Sequence, residues 1–212
     1  MSNSIADIRQ DYTLKTLSES DVQMNPISQF EIWWNEAIES KIDEANAMVL
    51  STIKNNIQPS SRVVLLKGIN EHGFVFFTNY NSSKGNELKQ NALGSLCFFW
   101  KELQRQVRIE GTISKISNKE NDNYFNSRPY GSKVGAWASP QSQVIENREW
   151  IEKKEAEIIK KFGENIERPE HWGGYQLIPN YIEFWQGRAN RLHDRICYTK
   201  NNLNWKIERL AP

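Results

Sequence analysis

The chain is poor in the residues that build metal centres and covalent cross-links: 212 residues include only 2 cysteines and 3 histidines. Cys97 sits in an apolar run and Cys197 near the C-terminus, and with no secretory pattern such a pair reads as two reduced thiols. His72, His171 and His193 are scattered. No Cys/His spacing matches a ligand set, so no metal is expected. Long apolar runs are missing as well. No window approaches the roughly 18 apolar residues of a membrane span, and the start MSNSIADIRQDY is not that of a signal peptide. The expected location is cytoplasmic, with no membrane partner. Charge of one sign is not in excess, since 27 Lys and Arg stand against 26 Asp and Glu. That balance, with no RNP-like motif, leaves nucleic acid out of the expected partners. Anion recognition must then be local. A Gly-rich dinucleotide fingerprint, a P-loop and an ordered Ser-His-Asp set are all absent, which argues against NAD, nucleoside triphosphates as those folds bind them, and serine-type hydrolysis.

What is present is aromatic mass and β texture. Eight Trp and nine Phe offset a hydrophobic fraction of 38%, because each ring buries a large area. Residues 1–25 are polar and read as a mobile N-terminal arm, and 26–212 as a single domain. From Ser28, a plausible N-cap, Phe30, Trp33, Trp34, Ala37, Ile38 and Ile42 recur at helical spacing. Runs rich in Val, Ile, Phe and Thr follow at 47–53, 62–69 and 73–79, separated by turn signals. A short helix is expected in SSKGNELKQN, then strands in SLCFFW and QRQVRIEGTISKI. Helical patterns return between 118 and 163, and three strand-like runs close the chain, YQLIPNYIEFWQG, HDRICYT and NWKIERL. The expected fold is mainly β with flanking helices, α+β, an antiparallel and Greek-key-like barrel rather than a βαβ array.

Four segments concentrate groups suited to anions. In RVVLLK, strand alternation puts Arg62, Val64 and Leu66 on one face and Val63, Leu65 and Lys67 on the other. Solvated strand-end cations are the plainer alternative. In TNYNSSKGNEL, Ser82, Ser83 and Lys84 begin a helix whose free N–H groups suit a phosphate or serve only as an ordinary cap. In NYFNSRPYGSKVGAW, Tyr124 and Arg128 are four apart, Pro129 ends their helix, and Ser132 is placed to cap the next. A phenol, a guanidinium and a hydroxyl there suit one phosphate dianion, the alternative being a helix-turn-helix corner. In EFWQGRANRLHDR, an extended end would project Arg191, His193 and Arg195 from one face. These groups repel one another unless an anion or an electron-rich ring lies against them, the alternative being a charged edge strand. The residues alone reach as far as small phosphorylated ligands with flat rings.

The motifs RVVLLK, FFTNYNSSK, QRQVRIEG, YFNSRP with SKVGAW, PQSQ, HWGGY, IEFWQG, RLHDR and WKIERLAP, in this order, resemble the pyridoxine/pyridoxamine 5'-phosphate oxidases. The resemblance runs from about Ile5 to Pro212. It implies a homodimeric split β-barrel with FMN at the subunit interface, oxidising pyridoxamine or pyridoxine 5'-phosphate to pyridoxal 5'-phosphate with dioxygen as acceptor and hydrogen peroxide as product. It implies FMN contacts at Arg62, Val63, Val64, Leu65, Leu66, Lys67, Phe77, Thr78, Ser83, Lys84, Gln106, Gln141, Ser142, Trp185 and Arg195. Substrate phosphate contacts fall on Lys67, Tyr124, Arg128 and Ser132, with Arg191 and His193 as the catalytic pair beside the pyridine ring. Arg9, Gln10, Asp11 and Tyr12 match the family's N-terminal contact stretch, which is expected to close as a lid. Ser83 departs from the pattern, standing where the family often has a second cation before the lysine.

Overall fold

The computed structural model describes residues 4, 5, 8 and 11–212. Among them the elements run α1 (Pro26–Glu39), β1 (Ala47–Lys54), β2 (Gln58–Leu65), β3 (Gly68–Asn70), β4 (Gly73–Asn79), α2 (Ser83–Gln90), β5 (Leu93–Trp100), β6 (Arg105–Lys115), α3 (Asn118–Ser127), α4 (Tyr130–Ala138), α5 (Arg148–Phe162), β7 (Trp172–Gln186), β8 (Asp194–Asn201) and β9 (Asn204–Arg209). The nine strands hydrogen-bond in the order β2-β1-β5-β6-β7-β4-β3, with β8 on β7 and β9 on β8. The pairs β3/β4, β4/β7, β7/β8 and β8/β9 are antiparallel. Among the described residues no helix is long and apolar enough to cross a membrane. The chain divides into two compact units, the first made of residues 1–49, 95–111 and 179–212, the second of 50–94 and 112–178.

In the first unit α1 is capped by Asn25, whose Oδ1 accepts the Ile27 N–H at 2.8 Å, with Pro26 at the first helical position. Ser28 therefore lies inside the first turn and is not the cap. The reason is local, since proline tolerates the helix start and an Asn before it supplies the acceptor. The buried stripe of α1 carries Phe30 and Trp33. Phe30 meets Phe98 at 5.1 Å and Trp33 meets Phe184 edge-on at 5.1 Å. Arg105 covers the Trp33 ring at 4.2 Å and donates to Gln186 and Glu36. The segment before α1 is tied to this unit by backbone donors, Leu14 N–H to Gln104 Oε1 at 3.2 Å and Leu17 N–H to Asp194 Oδ2 at 3.1 Å.

In the second unit β4 is buried along nearly its whole length and pairs with β7 in the register Phe77 to Gly174 and Thr78 to Gly173. The run expected as one strand over 62–69 is two. β2 ends at Leu65, and the Lys67 N–H donates to Val75 O at 2.8 Å, so the chain has already turned toward β4. The helix α3 starts with a capping box, Ser117 with Glu120, and α5 is a solvated helix with no buried residue. Helix α4 begins after Pro129, so Ser132 sits in its first turn instead of capping it. The buried Ser82 caps α2, its Oγ accepting from Gly85 N–H at 3.3 Å. A β-carbon on Gly85 would collide with the Tyr80 carbonyl, a backbone atom with no rotamer to escape into. Gly85→Ala is therefore expected to lower the unfolding free energy by about 1–3 kcal/mol in urea titration.

Candidate active site

The strand β4, the end of β2 and the helices α2, α3 and α4 border a cavity of about 440 Å³ in the second unit. One wall is an aromatic stack, with Phe77 and Tyr124 at 3.8 Å between centroids and Phe77 and Trp172 at 5.4 Å. The stack follows from the register, because Gly174 faces Phe77 across the ladder and a side chain there would meet the Phe77 ring. At the end of α3 the chain leaves the helix at Arg128, which takes extended backbone angles ahead of Pro129. Tyr124 and Arg128 thus do not share a regular helix face, yet both line the cavity with Ser132 and Lys67. The Arg128 guanidinium lies over Trp172 at 4.4 Å. Its Nη1 is, among the described residues, the buried side-chain nitrogen or oxygen without a hydrogen-bond partner. A charged donor in that state is costly unless a ligand meets it.

A further cation of the cavity is Lys84, 8% exposed, with Nζ 3.3 Å from Thr78 Oγ1. Burial first, and then the Arg62 guanidinium, push its ammonium below the ordinary lysine value, while Glu87 opposes them. Gln141 is held across the cavity by Thr78 Oγ1 at 3.0 Å and by the Asn79 N–H at 3.3 Å, both donating to its Oε1. Arg62 does not line the cavity. Its Nη2 pairs with Glu87 Oε2 at 2.7 Å and with Ser60 Oγ at 2.7 Å, and its Nη1 donates to Thr52 Oγ1 and Ser60 O. The strand-end cation read from RVVLLK is thus already partnered inside the protein.

The first unit has its own cavity of about 590 Å³, lined by Ile8, Asp11, Tyr12, Arg188, Asn190, Arg191 and His193. The segment RLHDR is not extended throughout. Asn190 and Arg191 take left-handed backbone angles with φ of 56° and 61°, and β8 starts only at Asp194. Only Arg195 of the three projecting groups is on the strand. The turn has a physical cause, because it lets the Arg188 N–H donate to His193 Nδ1 at 3.1 Å. With Nδ1 accepting, the ring proton of neutral His193 is on Nε2. Burial, then the Arg191 charge, hold its pKa below the ordinary histidine value. Tyr12 and Trp185 pack on this ring at 5.9 and 4.6 Å. Asp194 fixes the turn from behind by accepting from Arg188 at 2.7 Å, Arg209 at 2.9 Å and the Leu17 N–H. Arg195 is held by Glu183, 1% exposed, at 2.8 Å and 3.1 Å. Burial opposes the Glu183 charge, but Arg195 and then Arg108 outweigh it and keep the carboxyl below its usual range.

Eleven of the expected contacts therefore meet in the second-unit cavity: Val63, Val64, Leu65, Lys67, Phe77, Thr78, Lys84, Tyr124, Arg128, Ser132 and Gln141. Asp11, Tyr12, Arg191 and His193 meet in the first-unit cavity. Arg62, Leu66, Ser83 and Ser142 line neither, Leu66 being buried and Ser83 and Ser142 exposed. Gln106 is half-buried on β6, Trp185 packs on Tyr12, and Arg195 on β8 faces Glu183. Arg9 and Gln10 lie outside the described residues. Glu87, Glu183, Asp194 and Trp172 were missed from the sequence. Glu87 had a readable signal, sitting three residues after Lys84 on one helix face, whereas Glu183 and Asp194 acquire their partners only through strand pairing.

Residues 34–162 match the family model for Pyridoxamine 5'-phosphate oxidase, and residues 172–212 match the Pyridoxine 5'-phosphate oxidase C-terminal dimerisation region. A pyridoxine/pyridoxamine 5'-phosphate oxidase of Burkholderia mallei (strain SAVP1) is 53% identical over 212 residues, covering 99% of both chains. One from Paraburkholderia phymatum is 54% identical over 99% of this chain and 100% of its own. This chain belongs to the pyridoxamine 5'-phosphate oxidase family. Among solved structures, PhzG from Burkholderia lata 383, in complex with tetrahydrophenazine-1-carboxylic acid, superposes with TM-score 0.88 at 30% identity, covering 94% of this chain and 99% of its own. A pyridoxamine 5'-phosphate oxidase-related, FMN binding protein from Nostoc punctiforme PCC 73102 gives TM-score 0.70 at 18% identity over 86% and 97%. That likeness carries the fold alone. It agrees with the expected class, mainly antiparallel β with flanking helices, α+β, of the split-barrel kind.

The residues present fit a phosphorylated flavin of the kind this family implies. The second-unit cavity offers the buried Lys84 beside Thr78 and Gln141 together with a flat aromatic wall, and these match an anion joined to a ring system, while the unsatisfied Arg128 N–H is left over for a second anion. Replacing Arg128 by Met removes the orphaned donor and keeps the side-chain volume. Ligand-free Arg128→Met is accordingly expected to melt no lower than the parent, and inorganic phosphate is expected to lose its stabilising effect on the melting temperature. For His193, ring-nitrogen NMR is expected to show the Nε2–H tautomer and a titration midpoint below 6.5.

Proposed function

We propose that this chain oxidises pyridoxamine 5'-phosphate and pyridoxine 5'-phosphate to pyridoxal 5'-phosphate, with FMN as cofactor, dioxygen as acceptor and hydrogen peroxide as product, the amine substrate also consuming water and releasing ammonia. The observation that carries the reading is the buried, unpartnered Nη1 of Arg128 in a cavity shared with Lys67, Tyr124 and Ser132. Two cations, a phenol and a hydroxyl form a receptor for a phosphate dianion, and relatives with half of this sequence are named for 5'-phosphate substrates. The likeness to PhzG raises a second reading, a reduced aromatic carboxylic acid as substrate. A carboxylate has one charge and two oxygens, and it would leave part of this receptor unmet.

In the proposed reaction these four residues bind the substrate phosphate and so fix the position of the ring, converting binding energy into orientation. Arg191 packs on the pyridine ring, and His193 presents its Nε2–H as a donor to an acceptor on that ring. A neutral histidine whose Nδ1 is occupied by the Arg188 N–H is poorly placed to abstract a proton. The substrate's own amine, as free base, removes the need for such a base. FMN, when bound, supplies a two-electron acceptor that is renewed by dioxygen. Asp11 and Tyr12, which line the cavity of His193, close over the ring, and Arg9 and Gln10 of the same stretch lie outside the described residues. The working form is a homodimer with FMN at the subunit interface, and support comes from the match of residues 172–212 to a dimerisation region, since this stretch carries Trp185, Arg191, His193 and Arg195.

Purified protein reconstituted with FMN is expected to lose its flavin absorbance under anaerobic pyridoxamine 5'-phosphate and to produce peroxide when air is admitted. A spectrum that stays oxidised would exclude this substrate. Arg191→Ala is expected to keep bound flavin and lose most turnover. Arg128→Ala is expected to raise the substrate KM by roughly one to three orders of magnitude, through loss of a charge-assisted contact.

A further inference from the structure

Gly187, directly after β7, has no conformational need to be glycine. Among the described glycines only Gly73 and Gly163 take positive φ angles, so the backbone at 187 accepts an alanine. Space is what forbids one. A β-carbon at 187 would stand 2.7 Å from Tyr12 Cγ, 2.8 Å from Tyr12 Cβ and 2.9 Å from Tyr12 Cδ2, the three nearest atoms all belonging to that one residue. Turning the ring leaves the contact with Cβ in place, so Tyr12 as a whole would have to move away. Gly187 is itself held firmly. Its N–H donates to Gln104 O at 2.8 Å, and the fully buried Gln186 donates from Nε2 to the same oxygen at 3.2 Å. Gln104 takes a left-handed conformation, φ 54°, that is uncommon for a residue with a β-carbon, and its Oε1 accepts the Leu14 N–H at 3.2 Å. One corner of the first unit therefore meets the arm twice, at Tyr12 through a missing β-carbon and at Leu14 through an amide oxygen, and Lys15 and Leu17 extend the tie to Glu36 and Asp194.

We propose that Gly187 is a positioning residue: its bare α-carbon is the seat on which Tyr12 settles, and it sets the fraction of molecules in which the arm is closed over His193. The inference rests on the reading that this arm closes over the substrate ring. Seated there, Tyr12 meets Trp185 edge-on at 5.8 Å and His193 at 5.9 Å, so the placement that requires a glycine is also the one that covers His193. Gly187 does not line the His193 cavity, and it reaches a ligand there only through Tyr12. A substrate that binds the closed form alone has its apparent affinity lowered in proportion to the closed fraction. Losing the seat therefore raises KM, while kcat, read from the saturated and closed form, stays close to that of the parent.

The test joins two measurements. Tryptic cleavage after Lys15 in the ligand-free protein reports whether the arm is seated, and KM and kcat for pyridoxamine 5'-phosphate are read on protein reconstituted with FMN. Gly187→Ala is expected to speed cleavage after Lys15 roughly tenfold and to raise KM by roughly the same factor, with kcat within about threefold of the parent. Tyr12→Gly, which removes the atoms that the added methyl group would strike, is expected to show faster cleavage and a raised KM as well. Adding Gly187→Ala to Tyr12→Gly is expected to change neither quantity further by more than about twofold, because a residue that acts through Tyr12 then has nothing to act on. Parental cleavage or parental KM in Gly187→Ala would overturn the proposal, as would an undiminished effect of Gly187→Ala in the Tyr12→Gly background. If Gly187→Ala does not fold, the double variant decides: a folded double variant shows that Tyr12 is what excludes the methyl group, and an unfolded one overturns the proposal. Parent protein that does not turn over pyridoxamine 5'-phosphate would count against the functional reading on which the inference rests, and the cleavage rates would still decide whether Gly187 seats the arm.

Discussion

The pairing of β4 with β7 is the constraint on which the second unit depends. Side chains alternate along a strand, so a slip of one residue would exchange every position between the two faces. The register that sets Phe77 opposite Gly174 and Thr78 opposite Gly173 puts the Phe77 ring into the stack with Tyr124 and Trp172 and leaves Thr78 to hold both Gln141 and Lys84. The two glycines belong to the same constraint. A side chain at 173 would strike the Tyr80 ring, and one at 174 would strike Phe77 and Ile116. Asn121 closes the arrangement, accepting the Gly174 N–H at 2.6 Å and donating to the Tyr80 hydroxyl, so that α3 is tied to the strand it covers.

Charge is handled locally throughout. The chain carries almost no net charge, yet its buried and half-buried cations differ sharply in what they meet. Arg62 and Arg195 are each held by a buried carboxylate, Glu87 and Glu183. Arg128 has an aromatic ring beneath it and an empty donor position. Lys84 has one hydroxyl contact and a repelling neighbour. Desolvating a cation is expensive, and a counter-ion or a ligand must offset it. The first kind of arginine is satisfied by the fold, whereas the second kind of cation has no carboxylate hydrogen-bonded to it among the described residues.

Much of the architecture was legible in the sequence, and the failures are local. β4 was read with its observed limits, because GFVFFTN is a buried apolar run with a turn signal before it. The start of α1 was placed three positions late, since Ser28 looks like a cap while Asn25 ahead of Pro26 makes a better one. The reading of RVVLLK as a single alternating strand failed because Lys67 pairs with β4, a contact set by tertiary pairing rather than by the hexapeptide. The reading of RLHDR as extended failed at Asn190 and Arg191, two residues whose left-handed angles nothing in their local pattern demanded.

The order and kind of the elements, the absence of any charge excess, and the identity of the groups able to meet a phosphate were determined by the sequence itself, because periodicity, turn chemistry and side-chain type are local properties. Which of those groups are free was decided only by the tertiary structure. Arg62 and Arg128 are both arginines in anion-like motifs, and no property of either segment tells them apart. Arg62 lies where α2 brings Glu87 and β1 brings Thr52. Arg128 lies where the chain leaves α3 over Trp172, with no carboxylate within reach of an ion pair among the described residues. The difference is one of long-range contact, and only folding supplies it.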